Sequence, residues 1–471
     1  MDSLKNFLLF FLCLAGFLLC TPACAQDKAP NILLFYADDL GWMDLGIQGS
    51  SYYETPNIDR IGKEGIRFTQ AYANAANCAP SRACLMTGLY PPSHGVYTVG
   101  NPDRGEVTKR KLIPTPNKTV LDPNLLTLPT FLKTKGYRTA IAGKWHLSPN
   151  PLPYGFDVNF GGNQQGHPKS YFSPYQNPNL EDGVPGEHLP ERLSRELGNW
   201  IRENHHKPFF AYFPFYSVHT PIQAREDLID KFGSKEPTLF HNKPAYAAMI
   251  EAMDQAVGHL LTLLDELGLA ENTLVIFTSD NGAHGGQTLS RPLRGSKGMF
   301  YEGGIRVPFL LRGPMVSQPG TLNSSPVIGS DIFPTLIQIL AEDSDTYQLD
   351  GQSFLSALSG TTLPERALFW HFPAYLQMYN KDRAFEDSHD KPWFRTSPVS
   401  VIRKGNWKLL QFFEKGEVEL YNLRLDIGEI DNLAEEYPGE AKELLEELHN
   451  WQRSTQAPIP SQKNPFYSEG K

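Results

Sequence analysis

Short apolar runs that follow helical stretches recur through most of the chain, and this alternation restricts it to a largely parallel α/β sheet. The first run, Asn31 to Tyr36 (NILLFY), comes after Ala29-Pro30 and ends at the acidic pair Asp38-Asp39. Arg138 to Ala142 follows the helical stretch Leu125 to Lys135, Pro208 to Ser217 follows Leu189 to Asn204, and Thr273 to Ser279 follows Tyr246 to Leu267. Runs without polar alternation suit strands covered on both faces, and a parallel neighbour needs a crossover long enough to be a helix. A further strand is expected over Val307 to Arg312 and a helix over Ile332 to Leu340.

After the loop-rich stretch Ala341 to Pro364 the pattern changes. Ala367 to His371, Val399 to Arg403, Trp407 to Phe412 and Val418 to Tyr421 read as short strands, separated by turns such as Lys404-Gly405-Asn406 and Glu414-Lys415-Gly416. Glu440 to Trp451 reads as a closing amphipathic helix. The expectation is an α/β domain over 26–350, with helices flanking a large mostly parallel sheet, and a smaller antiparallel α+β domain over 351–471.

Hydrophobic residues make up 40% of the 471 and charged residues 20%, the balance of a folded chain rather than a disordered one. Lys and Arg number 43 against 52 Asp and Glu, so the formal charge is −9, and no long basic run occurs. That argues against a nucleic-acid partner, whose footprint would be a basic patch. The N-terminus reads as a signal peptide over 1–25: Lys5 precedes the apolar run Phe7 to Leu19, and Ala23-Cys24-Ala25 precedes Gln26. Thirteen apolar residues are too few to cross a bilayer, and no later stretch is long and apolar enough, so no transmembrane segment is expected. The expectation is export, to the periplasm or the medium. A lipid on Cys20 or Cys24 is the lesser alternative, because neither follows a Leu-Ala-Gly type run. Cys13, Cys20 and Cys24 lie in or beside the signal, which leaves Cys78 and Cys84; a short-loop disulfide between them is one reading.

In open α/β sheets, sites form beyond the carboxyl ends of strands. The first run ends in Asp38-Asp39 and the Thr273 to Ser279 run in Asp280-Asn281, so oxygen ligands from two strand ends could share a hard divalent cation, calcium or magnesium rather than zinc. Between them lies Cys78-Ala79-Pro80-Ser81-Arg82, followed by Ala83-Cys84-Leu85-Met86-Thr87-Gly88. Pro80 suits the first turn of a helix, which puts Cys78 at its electropositive end, where a plain thiolate nucleophile is conceivable.

Cys-x-Pro-Ser-Arg with the downstream Leu-x-Thr-Gly resembles the signature of the type I sulfatases, within the alkaline phosphatase-like superfamily. Asp-Asp-x-Gly at the first strand end, Gly143-Lys144-Trp145-His146, Ser217-Val218-His219-Thr220-Pro221, Ser279-Asp280-Asn281-Gly282 and Arg294-Gly295-Ser296-Lys297-Gly298 occur in family order across the mature chain. The resemblance implies the alkaline phosphatase-like fold and hydrolysis of sulfate monoesters. It implies that Cys78 is oxidised to formylglycine by a maturating enzyme, and that Asp38, Asp39, Asp280 and Asn281 hold one Ca2+ with it. The hydrated aldehyde offers two geminal hydroxyls, one to attack sulfur and one whose proton loss expels sulfate. By the same resemblance Arg82 stabilises the hydrated aldehyde, His146 assists its proton loss, Lys144 and Lys297 hold sulfate oxygens, and His219 serves the leaving oxygen. Cys84 reads instead as a small buried helix residue.

Substrate contacts are sought in the polar and aromatic loop Gly161 to His167 with Ser170-Tyr171-Phe172, which suits sugar hydroxyls and rings. His167, His284 and Arg291 are the candidate rim residues, and Asp382 to Trp393 could approach the mouth. The expected substrate is a sulfated carbohydrate, as in the bacterial sulfatases the chain resembles. Two rivals follow from the same residues: a phosphonate or phosphodiester hydrolase of the superfamily, and a sulfoglycan-binding relative never oxidised at Cys78.

Overall fold

The first apolar run forms β1 (Asn31–Ala37), and all seven residues are buried, as a strand with parallel neighbours on both sides requires. The computed structural model describes residues 29–379 and 382–468; the expected signal segment lies outside the described residues. β1 sits inside an eight-stranded sheet with β2 (Ile66–Phe68), β4 (Arg138–Ala142), β5 (Val158–Phe160), β6 (Phe209–Pro214), β7 (Thr273–Ser279), β8 (Phe309–Arg312) and β9 (Thr321–Asn323). Their order is β5-β4-β6-β1-β7-β8-β2-β9. A separate parallel pair joins β3 (Ala71–Tyr72) to β10 (Val327–Ile328).

The large sheet is mostly parallel, with β8 antiparallel to both β7 and β2. The chain between β7 and β8 stays at the carboxyl edge instead of crossing the sheet in a long helix, so β8 must enter from that edge and run back. Registers level the strand ends: Tyr36 lies beside Pro214, Ala37 beside Ser279, and Ile141 beside Tyr212. Whatever follows β1, β4, β6 and β7 therefore emerges along one edge.

Alternation along β1 feeds two cores. Leu33 and Phe35 face helices Leu189–Asn204 and Pro244–Glu266, while Ile32, Leu34 and Tyr36 face helices Leu128–Thr134 and Ile332–Ile339. Burial of each Leu- or Phe-sized side chain contributes about 2 kcal/mol. The expected run Pro208 to Ser217 leaves the sheet at Pro214, because its last residues bond to the loop after β1: the Asp38 amide donates to the Ser217 carbonyl at 3.0 Å, and the Val218 amide to the Asp38 carbonyl at 2.7 Å. β2, β5 and β9 are three-residue strands that carry too little pattern to show in the sequence.

The C-terminal part is an antiparallel sheet β11-β14-β15-β16, built from β11 (Ala367–Phe372), β14 (Val399–Lys404), β15 (Trp407–Phe412) and β16 (Glu417–Asn422), with helix Pro438–Ser454 against it. β12 (Leu376–Gln377) and β13 (Phe394–Thr396) form a small antiparallel pair beside it. This sheet is not isolated from the first. Its core includes Tyr72, Met299, Tyr301 and Ile305, and the Trp370 indole donates to the Ala73 carbonyl at 2.8 Å.

Candidate active site

The edge shared by β1, β4, β6 and β7 delivers four loops to one buried cluster. Helix Cys78–Thr87 enters it end-on, and all ten of its residues are buried. Its start is fixed by Ser81, whose hydroxyl accepts from the Ala75 amide and donates to the Ala75 carbonyl, both at 3.0 Å. The Cys78 thiol then lies 3.4 Å from Asp38 Oδ1 and 3.8 Å from Asp39 Oδ1.

Three cations meet the three carboxylates of this cluster. Lys144 Nζ donates to Asp38 Oδ2 at 2.7 Å, and Lys297 Nζ lies 2.7 and 2.8 Å from the two Asp39 oxygens. Arg82 donates to Asp280 Oδ2 through Nε at 3.0 Å and Nη2 at 2.7 Å, and to the Lys144 carbonyl through Nη1 at 2.9 Å. Arg82 is itself 1% exposed, so it acts as an internal brace between the helix, the β7 end and the β4 end. Lys144 reaches its place because Gly143 lets the chain pass: a Cβ there would stand 2.0 Å from the Pro214 carbonyl oxygen, at a φ of +121°.

Burial sets the protonation pattern. It pushes the Asp38 carboxyl up to about 8 despite Lys144, with Asp280 and Asp39 adding to the rise. Burial also opposes ionisation of Asp39, but the positive charge of Lys297 above all, with Lys144 behind it, outweighs burial and holds that carboxyl below the usual range. The Cys78 thiol is pushed well up by burial and by Asp280, more than Lys144 and Lys297 draw it down. The plain thiolate is thus corrected: the helix terminus is electropositive, but desolvation among carboxylates dominates. Burial, then Lys144, keeps His146 neutral, and burial, then Lys297, does so for His219.

Oxygen-rich chemistry at the cluster suits a hard cation. Atoms of Asp38, Asp39, Cys78 and His219 all lie within 4.8 Å of one another. Asn281 donates from Nδ2 to Asp39 Oδ1 at 2.9 Å, while its Oδ1 is buried with no hydrogen-bond partner, an acceptor suited to a cation. Asp280 contributes Oδ1, which accepts the Asp39 amide at 3.2 Å, and commits Oδ2 to Arg82. Cys78 and Cys84 are both free; Cys84 is buried with its Sγ 3.3 Å from His94 Nε2.

His219 lies with Nε2 3.7 Å from Asp39 Oδ2, and its Nδ1 donates to the Thr220 carbonyl at 2.8 Å. That bond leaves Nε2 facing the cluster. The loop expected to meet substrate does reach this place: the His167 ring lies parallel to His219 at 6.0 Å, and the Asn163 carbonyl accepts the His146 amide at 2.9 Å. His146 adopts a φ of +63° and packs so closely on Gly166 that a Cβ there would stand 2.6 Å from its ring. His284 stacks on Tyr379 at 5.7 Å. Arg291 is not brought to the cluster; it pairs with Asp387 at 3.0 Å, which also accepts the Gly295 amide at 2.9 Å.

Two neighbours escaped the sequence reading. Arg395 donates from Nη1 to the Lys297 carbonyl at 2.9 Å and lies 3.9 Å above the Tyr379 ring. Asp44 accepts from Tyr246 at 2.9 Å and Thr288 at 3.1 Å, and Tyr246 also reaches the Asp39 carbonyl at 3.4 Å. Asp44 stands six residues after Asp38, a spacing that could have drawn notice; Arg395 follows no motif.

The Sulfatase family model matches residues 30–341, and a model described as N-sulphoglucosamine sulphohydrolase, C-terminal, matches residues 296–456. A sulfatase of Formosa agariphila is 34% identical, with 92% of this chain and 90% of that protein covered. Human N-acetylgalactosamine-6-sulfatase is 33% identical over 74% of this chain and 69% of its own length. The solved structure of Ps i-CgsB in complex with k-i-k-neocarrahexaose superposes with a TM-score of 0.74 at 28% identity, covering 92% of this chain and 95% of that one. With the cluster at the strand ends and these matches together, the chain belongs to the sulfatase family and is a sulfuric ester hydrolase built on the alkaline phosphatase-like fold.

Proposed function

We propose that this enzyme is exported and hydrolyses a sulfate monoester on a carbohydrate, using formylglycine made from Cys78 by a maturating enzyme, with one Ca2+ held by Asp38, Asp39, Asp280, Asn281 and the modified residue. The observation that carries the reading is the seat of Cys78: a buried helix start 3.4 and 3.8 Å from two carboxylates, whose other oxygens meet two lysine ammoniums. The unpartnered Asn281 Oδ1 supports the ion. Calcium supplies fixed positive charge at the sulfuryl oxygens, and formylglycine supplies an oxygen nucleophile in place of the disfavoured thiolate.

The remaining work falls to the chain's own residues. Lys144 and Lys297 flank the nucleophile position and meet non-bridging sulfate oxygens, where charge develops. His219 presents Nε2 to the leaving oxygen; once the negative charge of the bound sulfate offsets Lys297, the ring takes up a proton there from water and passes it to the departing alkoxide. His146, held neutral beside the loop Gly161 to His167, accepts a proton at the nucleophile. Arg82 keeps the helix start, Asp280 and the Lys144 backbone in register. The carbohydrate assignment rests on the polar loop at His219 and on an open cavity of about 550 Å³ lined by Tyr379 and Asp382. It is supported by the relatives that act on or hold sugars, a human N-acetylgalactosamine-6-sulfatase and a complex with neocarrahexaose. Export is supported by the sequence of residues 1–25.

The decisive experiment is the mass of tryptic peptide Phe68 to Arg82 from protein made in its own host. An aldehyde at Cys78 is the expected result, and unmodified cysteine throughout would overturn the mechanism. Parallel assays of sulfate esters and phosphonate monoesters with one leaving group then separate the sulfatase from its superfamily rival.

A further inference from the structure

A basic groove of about 280 Å³ lies beyond the cavity beside the active site, and the two share Trp393 as a common wall. The route is continuous. His284 stacks on Tyr379, Arg395 lies over the same ring while bonded to the Lys297 backbone, and Tyr379 lines the first cavity. Past Trp393 the second groove is lined by Lys109, Lys111, Lys391 and Lys415. Lys109 Nζ stands 4.4 Å from the centre of the Trp393 ring, and Trp393 is 46% exposed. Among the described residues neither Lys109 nor Lys111 has a carboxylate within ion-pair distance, whereas Lys391 pairs with Glu386 and Lys415 lies near Glu417. The acidic groups of the groove are otherwise engaged: Glu414 accepts from Tyr375 and from the Lys111 amide, and Asp390 accepts the Ser397 amide.

The loop that carries the two free lysines is held in place. Arg110, between them, turns inward and donates to the Gly105 carbonyl at 3.0 Å and to the Asp103 carbonyl. The Asn464 side chain donates to the Val107 and Arg110 carbonyls, both at 2.7 Å. In a chain of net charge −9, two unpaired ammoniums fixed beside an exposed indole form a site ready for an anion on a flat ring. We infer that this groove binds a second anionic sugar of the same glycan chain, a sulfated residue several positions from the one being cleaved. The enzyme then prefers a sulfated oligosaccharide to an isolated sulfated sugar. This rests on the carbohydrate reading of the active site.

The test compares wild type with the double variant Lys109→Ala/Lys111→Ala, both matured in the same host. Substrates are 4-nitrophenyl sulfate and size ladders of carrageenan and chondroitin sulfate oligosaccharides, from disaccharide to hexasaccharide. The variant is expected to equal wild type on the aryl sulfate and the disaccharides, and to lose about tenfold in kcat/KM on hexasaccharides of the preferred glycan. The loss should sit in KM and shrink at high salt, where exposed charges are screened. Unchanged kcat/KM on the hexasaccharides, or an equal fall on every substrate, overturns the groove. Wild type that cleaves 4-nitrophenyl sulfate but no member of either ladder overturns the carbohydrate reading, and the groove with it.

Discussion

Asp39 bears more constraints than any neighbour. Its backbone takes a φ of +62°, a left-handed conformation that costs an ordinary residue about 1–2 kcal/mol. The conformation persists because the surroundings over-determine it: Lys297 on both oxygens, Asn281 on one, its amide on Asp280 and its carbonyl within reach of Tyr246. The strain aims the carboxylate back at Cys78 instead of along the strand. Two expectations belong at this scale. Cys78→Ala should lose turnover below detection while melting within about 2 °C of wild type, because a small buried side chain is replaced by one of similar volume. His219→Ala should cost roughly 10² to 10⁴ in kcat on a sugar sulfate and much less on 4-nitrophenyl sulfate, whose phenolate leaves without a proton. Equal losses on both substrates would assign His219 to binding rather than to the leaving oxygen. Removing the metal with EDTA should abolish activity and lower the melting temperature; added Ca2+ should restore both in wild type but not in Asp39→Ala.

At the scale of elements, the loops after the strands do most of the positioning, and Gly143 is the sharpest case. An alanine there meets the Pro214 carbonyl oxygen and must hold a φ of +121°, so Gly143→Ala should destabilise by about 2–5 kcal/mol. It should also lower kcat, since Lys144 follows directly; a variant that keeps both stability and turnover would show that the β4 end relaxes freely. This element also shows what could be read in advance. β1 and β7 are legible because strands buried on both faces carry long apolar runs, and Asp38-Asp39 and Asp280-Asn281 after them mark the site edge, whereas β4, which starts on an exposed Arg138, is legible only from the helical stretch before it. The run through Ser217 reads three residues longer than the strand because Phe215 and Tyr216 are as apolar and as deeply packed in the core as the strand itself, while Ser217 and Val218 bond to the loop after β1. Arg395 and Tyr379 were not legible: they come from the C-terminal part, hundreds of residues from Cys78, and no local spacing ties them to it. Arg291, a candidate for the rim, pairs with Asp387 at 3.0 Å, a partner from the C-terminal part that no local spacing reveals.

Across the whole molecule, two sheets are joined through buried polar groups as well as apolar ones. Lys408 on β15 lies 3.1 Å from Glu302 and 2.8 Å from Glu429, fully buried, so the catalytic loop region and the C-terminal sheet share one ionic centre. Buried titratable groups of this kind make stability depend on pH with opposite signs. Burial raises Asp254 to about 7, so its contribution is present at low pH and is lost as pH rises through that value. His371 on β11 behaves oppositely. Burial lowers it to about 4, where its ring sits 2.7 Å from the Ser400 hydroxyl and 3.1 Å from the Pro458 carbonyl. Above pH ~6.5 the ring is neutral in both folded and unfolded chains, and its contribution is complete. As pH falls from ~6.5 toward 4, the unfolded chain takes up a proton that the folded one refuses, so about 1.4 kcal/mol is lost per pH unit, roughly 3 kcal/mol in all. The raw melting profile mixes both signs, and a variant isolates one. Gln at this position can still donate to Pro458 or accept from Ser400 but takes no proton, so His371→Gln should melt below wild type at pH 7.5, and the gap should close by about 2 kcal/mol at pH 5. Thermal melts of the two proteins across that range decide it, since a gap of constant size would mean that His371 is not the group whose protonation loosens the C-terminal sheet.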